Sequence, residues 1–336
     1  MSDRRFGGWF QWGREQPEDP PTPTEGLPPE YDVRTALLLA LASTWAYSDA
    51  ASLADILDRS VLPEAQVELL EVRNPARLLD TQVFLVRDPG AHATLVVFRG
   101  TEIGGANITD ILTDLFVDPV NFPRGSSARV HRGFLDGLIA VWPRLLDALS
   151  ERPDDRIYLA GHSLGGAQAA LMAVALGLDQ PGIMQADDLA VHASIRDRID
   201  GVHTFGQPMI GDPEFAARAE QVRQTHGLPI VRHVFDEDIV PRLPGKDVGD
   251  FAHFGVELRG DDNSLGWTCP GQGAAVRQVK RSVLGLLVGA LDFAGEQLAP
   301  VRSRELPLSV GDHLPQRYVD LCKRAVFGRE DIPYYP

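Results

Sequence analysis

The stretch from Ile157 to Leu178 constrains this chain most. It carries no Asp, Glu, Lys or Arg, and Gly161-His162-Ser163-Leu164-Gly165-Gly166 interrupts it. Its length would suit a membrane span, but the glycines break it and Gln168 lies inside. A buried strand, RIYLA at 156–160, turning tightly into a buried Ala/Leu-rich helix from Leu164 explains the pattern better. The run TALLLALASTWAYS at 35–48 is too short to span a bilayer, so no transmembrane segment is expected.

The same alternation continues along the chain. Apolar period predicts helices over 33–47, 131–149 and 164–178, from about Pro213, over 274–294 and over 314–327. Strands are predicted at 66–72, 81–87, 93–98, 156–160, 201–205, 229–235 and 252–258. On the helix 131–149, Phe134, Leu138, Val141, Leu145 and Leu149 share one face. Strands that alternate with helices, several of them continuous apolar runs, imply an α/β protein with a mostly parallel central sheet and helices on both faces.

The chain has 336 residues, 44% hydrophobic and 24% charged, which fits a folded globular protein and excludes a coiled coil or global disorder. With no internal repeat or interior linker, residues 31–336 read as a single domain. Residues 1–30 read as a Pro-rich leader, with six prolines between 17 and 30. Its Phe6, Trp9, Phe10 and Trp12 are read first as packing back on the domain, with lipid contact as the second reading. FGGWFQW is too short and glycine-rich for a secretory core, and no A-x-A site follows. Sec export is therefore not expected, leaving a cytoplasmic location or another export route.

A net charge of −15 offers no basic patch to displace phosphate counterions, so nucleic acid is not an expected partner. Two cysteines, Cys269 and Cys322, exclude a disulfide scaffold and a four-cysteine zinc site. Isolated core thiols are the preferred reading and a pair the alternative.

The G-x-S-x-G pattern has three fixed positions and is weak alone. Its setting, strand before and helix after, is that of a nucleophile elbow. Gly161 and Gly165 let strand and helix approach without Cβ clashes, and the tight turn pushes the Ser163 hydroxyl out from the sheet. The N–H of Leu164, at the helix start, is free to donate to an oxyanion. A serine needs a base held by an acid, and in α/β hydrolases the chain order is Ser, acid, His. His92, His131 and His162 precede the serine and are read as structural or positional. PIVRHVFDEDIVPRLP offers Asp236, Glu237 and Asp238; Asp238, before a turn ending in Pro241, is preferred and Asp236 is second. His253 and His313 remain as bases. His253 falls in a period-2 strand pattern and reads as a satisfied, half-buried histidine, whereas His313 sits on a loop between Gly311-Asp312 and a new helix and is preferred. At the end of the strand TLVVF, the Thr101 N–H is a candidate second oxyanion donor, set evenly against an ordinary strand-end turn.

The blocks FRGT (98–101), TDILTDL (109–115), VHRGF (130–134), GHSLGG (161–166), TFGQPMIGD (204–212), DIVPRLP (238–244) and DHLPQRYV (312–319) resemble, in order, the class 3 or fungal-type lipases. The resemblance covers about 95–325. It implies an α/β-hydrolase fold acting on lipid esters, with Ser163, Asp238 and His313 as triad and Thr101 and Leu164 as oxyanion donors. It also implies a lid over 103–118, although GGAN at 104–107 replaces the amphipathic aromatic-bearing helix often found there. Residues 260–305 exceed the compact pattern, and a core helix is preferred there over an added cap helix. No metal or organic cofactor is implied. The expected partner is a lipid ester substrate, with transient contact at a lipid interface.

The reading is therefore a triacylglycerol lipase or esterase with a Ser–His–Asp acyl-enzyme mechanism. Rivals are a phospholipase A1 or monoacylglycerol-type esterase, a non-catalytic lipase-like scaffold and, least favoured, a peptidase.

Overall fold

The computed structural model describes residues 27–29, 31–60, 62–74, 79–100, 119–178, 189–246, 249–270, 276, 278 and 309–328. The expected helix 274–294, the lid 103–118, most of the 260–305 stretch and nearly all of the leader lie outside these residues. Of the leader, Leu27 packs on the core and the Pro28 carbonyl accepts the Tyr31 N–H.

In chain order the helices are α1 (Val33–Trp45), α2 (Ala50–Ser60), α3 (Arg132–Ser150), α4 (Leu164–Leu176), α5 (Leu189–Arg196), α6 (Pro213–His226) and α7 (Pro315–Phe327). The strands are β1 (Gln66–Asn74), β2 (Leu79–Asp88), β3 (Ala93–Phe98), β4 (Pro119–Asn121), β5 (Arg129–His131), β6 (Arg156–His162), β7 (Ile199–Phe205), β8 (Ile230–Phe235) and β9 (Val256–Gly260).

Seven strands form one sheet in the order β1-β2-β3-β6-β7-β8-β9. The first three pair antiparallel, and β3, β6, β7, β8 and β9 pair parallel. This is the α/β-hydrolase architecture expected of the sequence. The uncharged run 157–178 becomes strand β6 followed by helix α4. Among the described residues no helix is long and apolar enough to cross a membrane.

The continuous apolar strands follow from burial on both faces. Val96, Phe98, Ile157 and Leu159 point to one layer, where Leu138, Val141, Trp142 and Leu145 of α3 and most of α4 pack. Leu95, Val97, Tyr158 and Ala160 point the other way, against Leu37 and Leu38 of α1 and Leu321 and Cys322 of α7. Period-2 alternation therefore puts apolar side chains on both faces, and each face removes its own layer from water. All five residues assigned to one face of α3 are buried.

Local signals set several boundaries. Asp212 caps α6 by accepting the Phe215 N–H at 2.8 Å, Pro213 opens the helix, and Gly227 at φ +63° ends it. Asp32 caps α1 by accepting from the Arg34 and Thr35 N–H groups. The predicted strand 252–258 is corrected to Val256–Gly260. Gly255 at φ +78° redirects the chain, and a Cβ there would stand 2.9 Å from the Ile230 carbonyl oxygen, so pairing with β8 begins only beyond it. His253 consequently sits before the strand, half-buried, and its Nε2 lies 2.7 Å from the Pro241 carbonyl oxygen. Helices α2 and α5, of 11 and 8 residues, escaped the sequence reading.

The cysteines are both free. Cys322 is a core thiol, approached by Trp267 Nε1–H at 3.3 Å, and burial pushes its pKa up to about 12. Cys269 is exposed, which corrects its reading as a core thiol; it lies just beyond the Thr268 bridge to β9, where the chain leaves the sheet.

Candidate active site

Parallel register aligns the carboxyl ends of the central strands. Phe98 lies opposite Gly161, His162 opposite Phe205, and Phe205 opposite His233. The loops leaving β3, β6, β7 and β8 therefore emerge side by side, the usual place for a site in a parallel sheet.

Ser163 sits between β6 and α4 with φ 58° and ψ −129°. That conformation is strained for a residue with a Cβ, and its surroundings leave it no alternative. A Cβ at Gly161 would stand 2.3 Å from the Gly165 carbonyl carbon, and one at Gly165 would stand 2.1 Å from the Phe98 carbonyl oxygen. The Ser163 N–H donates to the Phe205 carbonyl at 2.9 Å, tying the turn to β7. Leu164 is the first residue of α4, so its amide is among those with no acceptor within the helix.

The serine, acid and histidine preferred on sequence grounds come together. His313 Nε2 lies 2.9 Å from Ser163 Oγ, and His313 Nδ1 lies 2.8 Å from Asp238 Oδ2. A carboxylate only accepts, so Nδ1 carries the proton and Nε2 is left to accept from the serine hydroxyl. Asp238 Oδ1 accepts the Val240 N–H at 2.8 Å and Oδ2 accepts the Tyr318 hydroxyl at 2.5 Å. Serine, acid and base are each no more than 1% exposed.

Two features hold acid and base in register. Beyond β8, Asp238 forms a parallel bridge with Ser309; the Ser309 N–H donates to the Glu237 carbonyl and the Ile239 N–H to the Ser309 carbonyl. The Val240–Arg242 and Gly311–His313 turns then present the two side chains to each other. Asp236, the second choice for the acid, adopts φ +41° and donates its N–H to the Gly260 carbonyl, while Glu237 pairs with Arg242 at 2.6 Å. His253 bonds to Pro241 and to neither Ser163 nor Asp238.

Thr101 lies outside the described residues, as does the lid segment. The strand end before it is described: Arg99 donates from its guanidinium to Gln82 Oε1 at 2.6 Å, and Gly100 packs against Tyr47 and the His162 carbonyl. Sequence reasoning missed Tyr318. It lies within the quoted block DHLPQRYV, but only folding of α7 turns it onto a carboxylate 80 positions away. It also missed the partners of His162, the Tyr47 hydroxyl and the His313 carbonyl. Among the described residues no group of His, Cys, Asp and Glu could hold a metal ion.

With this geometry in view, residues 95–248 match the model of the family described as Lipase (class 3). A lipase of Rhizomucor miehei is 35% identical over 191 residues, covering 56% of this chain and 47% of its own. Triacylglycerol lipase OBL1 of Arabidopsis thaliana is 30% identical over 268 residues, covering 66% of this chain and 48% of its own. The chain thus spans about half the length of the curated relatives it matches. Among solved structures, one described as a triacylglycerol lipase whose catalytic centre is a serine protease triad superposes with TM-score 0.51 at 26% identity. That alignment covers 68% of this chain and 79% of the other. Lipase II from Rhizopus niveus gives 0.51 at 25% identity, over 68% and 80%.

Proposed function

We propose that this chain, whose residues 95–248 match the class 3 lipase family, is a serine hydrolase of that α/β-hydrolase kind, cleaving carboxylic esters of lipids. The observation that carries the proposal is the buried, continuous hydrogen-bonded chain Ser163–His313–Asp238 at the end of the parallel strands. The substrate class rests on the names of the lipase relatives.

In this mechanism Ser163 Oγ attacks the ester carbonyl as its proton passes to His313 Nε2. The imidazolium that forms is already bonded through Nδ1–H to Asp238, which stabilises the positive charge. The N–H groups of Leu164 and Thr101 are proposed to hold the tetrahedral oxyanion; losing one such donor typically costs about 10²–10³ in rate. His313 then gives its proton to the departing alcohol. Water, deprotonated by the same imidazole, attacks the acyl-serine, and collapse releases the acid and the free hydroxyl. Transient contact with a lipid surface belongs to this reading, since long-chain esters are presented as aggregates.

Hydrolysis of short, long and phospholipid p-nitrophenyl or glycerol esters, below and above their solubility limits, tests substrate class and interface contact together. Wild type should turn over glycerol esters and label with a fluorophosphonate, and Ser163→Ala should do neither. Turnover retained by Ser163→Ala would remove the nucleophile assignment. Preference for phospholipid would shift the reading to a phospholipase A1. An unlabelled, inactive wild type would leave a lipase-like scaffold.

A further inference from the structure

Helix α1 is flanked by two tyrosines, Tyr31 before it and Tyr47 after it, and each reaches a buried histidine. The Tyr47 hydroxyl lies 2.8 Å from His162 Nδ1, and His162 Nε2 lies 2.7 Å from the main-chain carbonyl oxygen of His313. The Tyr31 hydroxyl lies 3.0 Å from His233 Nε2, and His233 Nδ1 lies 3.1 Å from the Thr204 carbonyl oxygen. A carbonyl only accepts. His162 therefore carries its proton on Nε2 and His233 on Nδ1, and each tyrosine donates to the remaining nitrogen. Burial holds both imidazoles well below the ordinary histidine range and both phenols above theirs, so these proton positions persist at neutral pH.

The two chains end in different places. The Tyr31 chain ends within β7, on a carbonyl of the sheet. The Tyr47 chain ends on the backbone of the residue read as the catalytic base. His313 closes a three-residue 3-10 turn, Gly311–His313, and the helix that follows has no side-chain cap at Leu314. The Asp238 carboxylate orients the imidazole ring and its backbone bridges the loop at Ser309, four residues earlier, while the His313 carbonyl itself is met by His162. The His162 and His313 rings also pack with centroids 4.5 Å apart. At its other end the Tyr47 hydroxyl sits where a Cβ on Gly100 would approach its oxygen to 2.2 Å, so it abuts the strand end leading to Thr101.

We propose that Tyr47 and His162 form a positioning relay: they hold the main chain of His313, and so its Nε2, at hydrogen-bonding distance from Ser163, and they tie that loop to the strand end at Gly100. Neither residue is needed to touch substrate. The relay acts on kcat through the placement of the base, and it rests on the ester-hydrolase reading above. His162, immediately before the nucleophile, is held there by its tautomer as much as by its size.

The Tyr31 chain supplies an internal control, because Tyr31→Phe removes the same kind of bond from the other end of α1. The experiment compares full-length wild type, Tyr47→Phe, Tyr31→Phe, His162→Gln and His162→Leu. It measures steady-state hydrolysis of p-nitrophenyl butyrate, the rate of fluorophosphonate labelling, and Tm. Tyr47→Phe should lower kcat about tenfold, the kinetic equivalent of one hydrogen bond, with KM within about twofold and labelling slowed in parallel. Tyr31→Phe should shift Tm comparably and leave kcat unchanged. His162→Gln keeps an amide donor for the His313 carbonyl and should retain at least about tenfold more activity than His162→Leu.

Equal kcat in Tyr47→Phe and Tyr31→Phe, or equal activity in the two folded His162 variants, overturns the relay while an active wild type leaves the hydrolase reading standing. A folded wild type that neither hydrolyses nor labels overturns both.

Discussion

Gly206 stands against Asp238 with no room between them: at φ +62°, a Cβ on this glycine would lie 2.8 Å from Asp238 Oδ2 and 2.9 Å from His313 Nδ1. The residue that follows β7 thus needs to be glycine twice, once for its left-handed backbone and once because the Asp238–His313 hydrogen bond passes beside it. Its N–H donates to the His233 carbonyl at 3.0 Å, so the loop cannot relax away without losing sheet pairing.

Gly206→Ala should therefore fold with a lowered Tm and lose activity far beyond its loss of stability. Positive φ alone costs about 1 kcal/mol for alanine, while displacement of the Asp238–His313 pair should reduce kcat by at least about 100-fold. Steady-state kinetics beside a melting curve separates the two; a kcat close to wild type would show that the carboxylate has room to move.

The two histidines downstream of Asp238 should behave differently. His313→Ala removes the group between Ser163 and Asp238 and should reduce kcat by about 10⁴ or more. His253→Ala loses only a bond to the Pro241 carbonyl and should retain most turnover with a modest fall in Tm. The opposite pattern in ester hydrolysis would transfer the role of base to His253.

Tyr318→Phe removes a hydroxyl that donates to Asp238 Oδ2 and accepts the Phe235 N–H at 3.3 Å. Both partners are buried, so a stability loss of about 1–3 kcal/mol is expected. Asp238 keeps His313 and the Val240 N–H, so kcat should fall only about tenfold, well short of the loss in an acid-deleted variant. Urea unfolding and kcat measured on the same preparation check both figures; unchanged kcat would make Tyr318 purely a packing residue.

Acid should destabilise the fold before most carboxylates titrate. Burial lowers the pKa of His162, His203 and His233 below the ordinary 6.5, that of His203 to about 4. Between these values the unfolded chain binds protons that the folded chain does not, so stability rises with pH. The contribution is complete above about pH 6.5 and falls away as pH drops toward 4, with a slope up to about 1.4 kcal/mol per pH unit for each histidine. Urea midpoints at pH 7.5, 6 and 5 should decline in that order, and a flat series would contradict neutral burial of these rings.

What could be read without coordinates was what neighbours along the chain decide. The elbow is local: strand, three glycines, serine and helix occupy consecutive positions, and the steric need for Gly161 and Gly165 is visible in their spacing. Alternating apolar strands and helices likewise announced a covered parallel sheet, because burial on two faces leaves its mark on each strand separately. The order nucleophile, acid, histidine reduced the candidates to a few. Among Asp236, Glu237 and Asp238, which differ by one backbone step each, only the turn ending in Pro241 favoured Asp238.

Tertiary structure shows which of the three meets His313. The Ser309 bridge registers the histidine loop against the loop after β8, and the left-handed turn at Asp236 leaves Asp238 facing inward. The same holds for Tyr318 on Asp238 and Tyr47 on His162, contacts between residues 80 and 115 positions apart. Periodicity records which side of an element is buried but not which group lies across the core. Hydrogen bonds, with a reach of about 3 Å, depend on that second fact. The chemistry a chain can attempt is written in its local pattern, and the partners that tune it exist only once distant segments have packed.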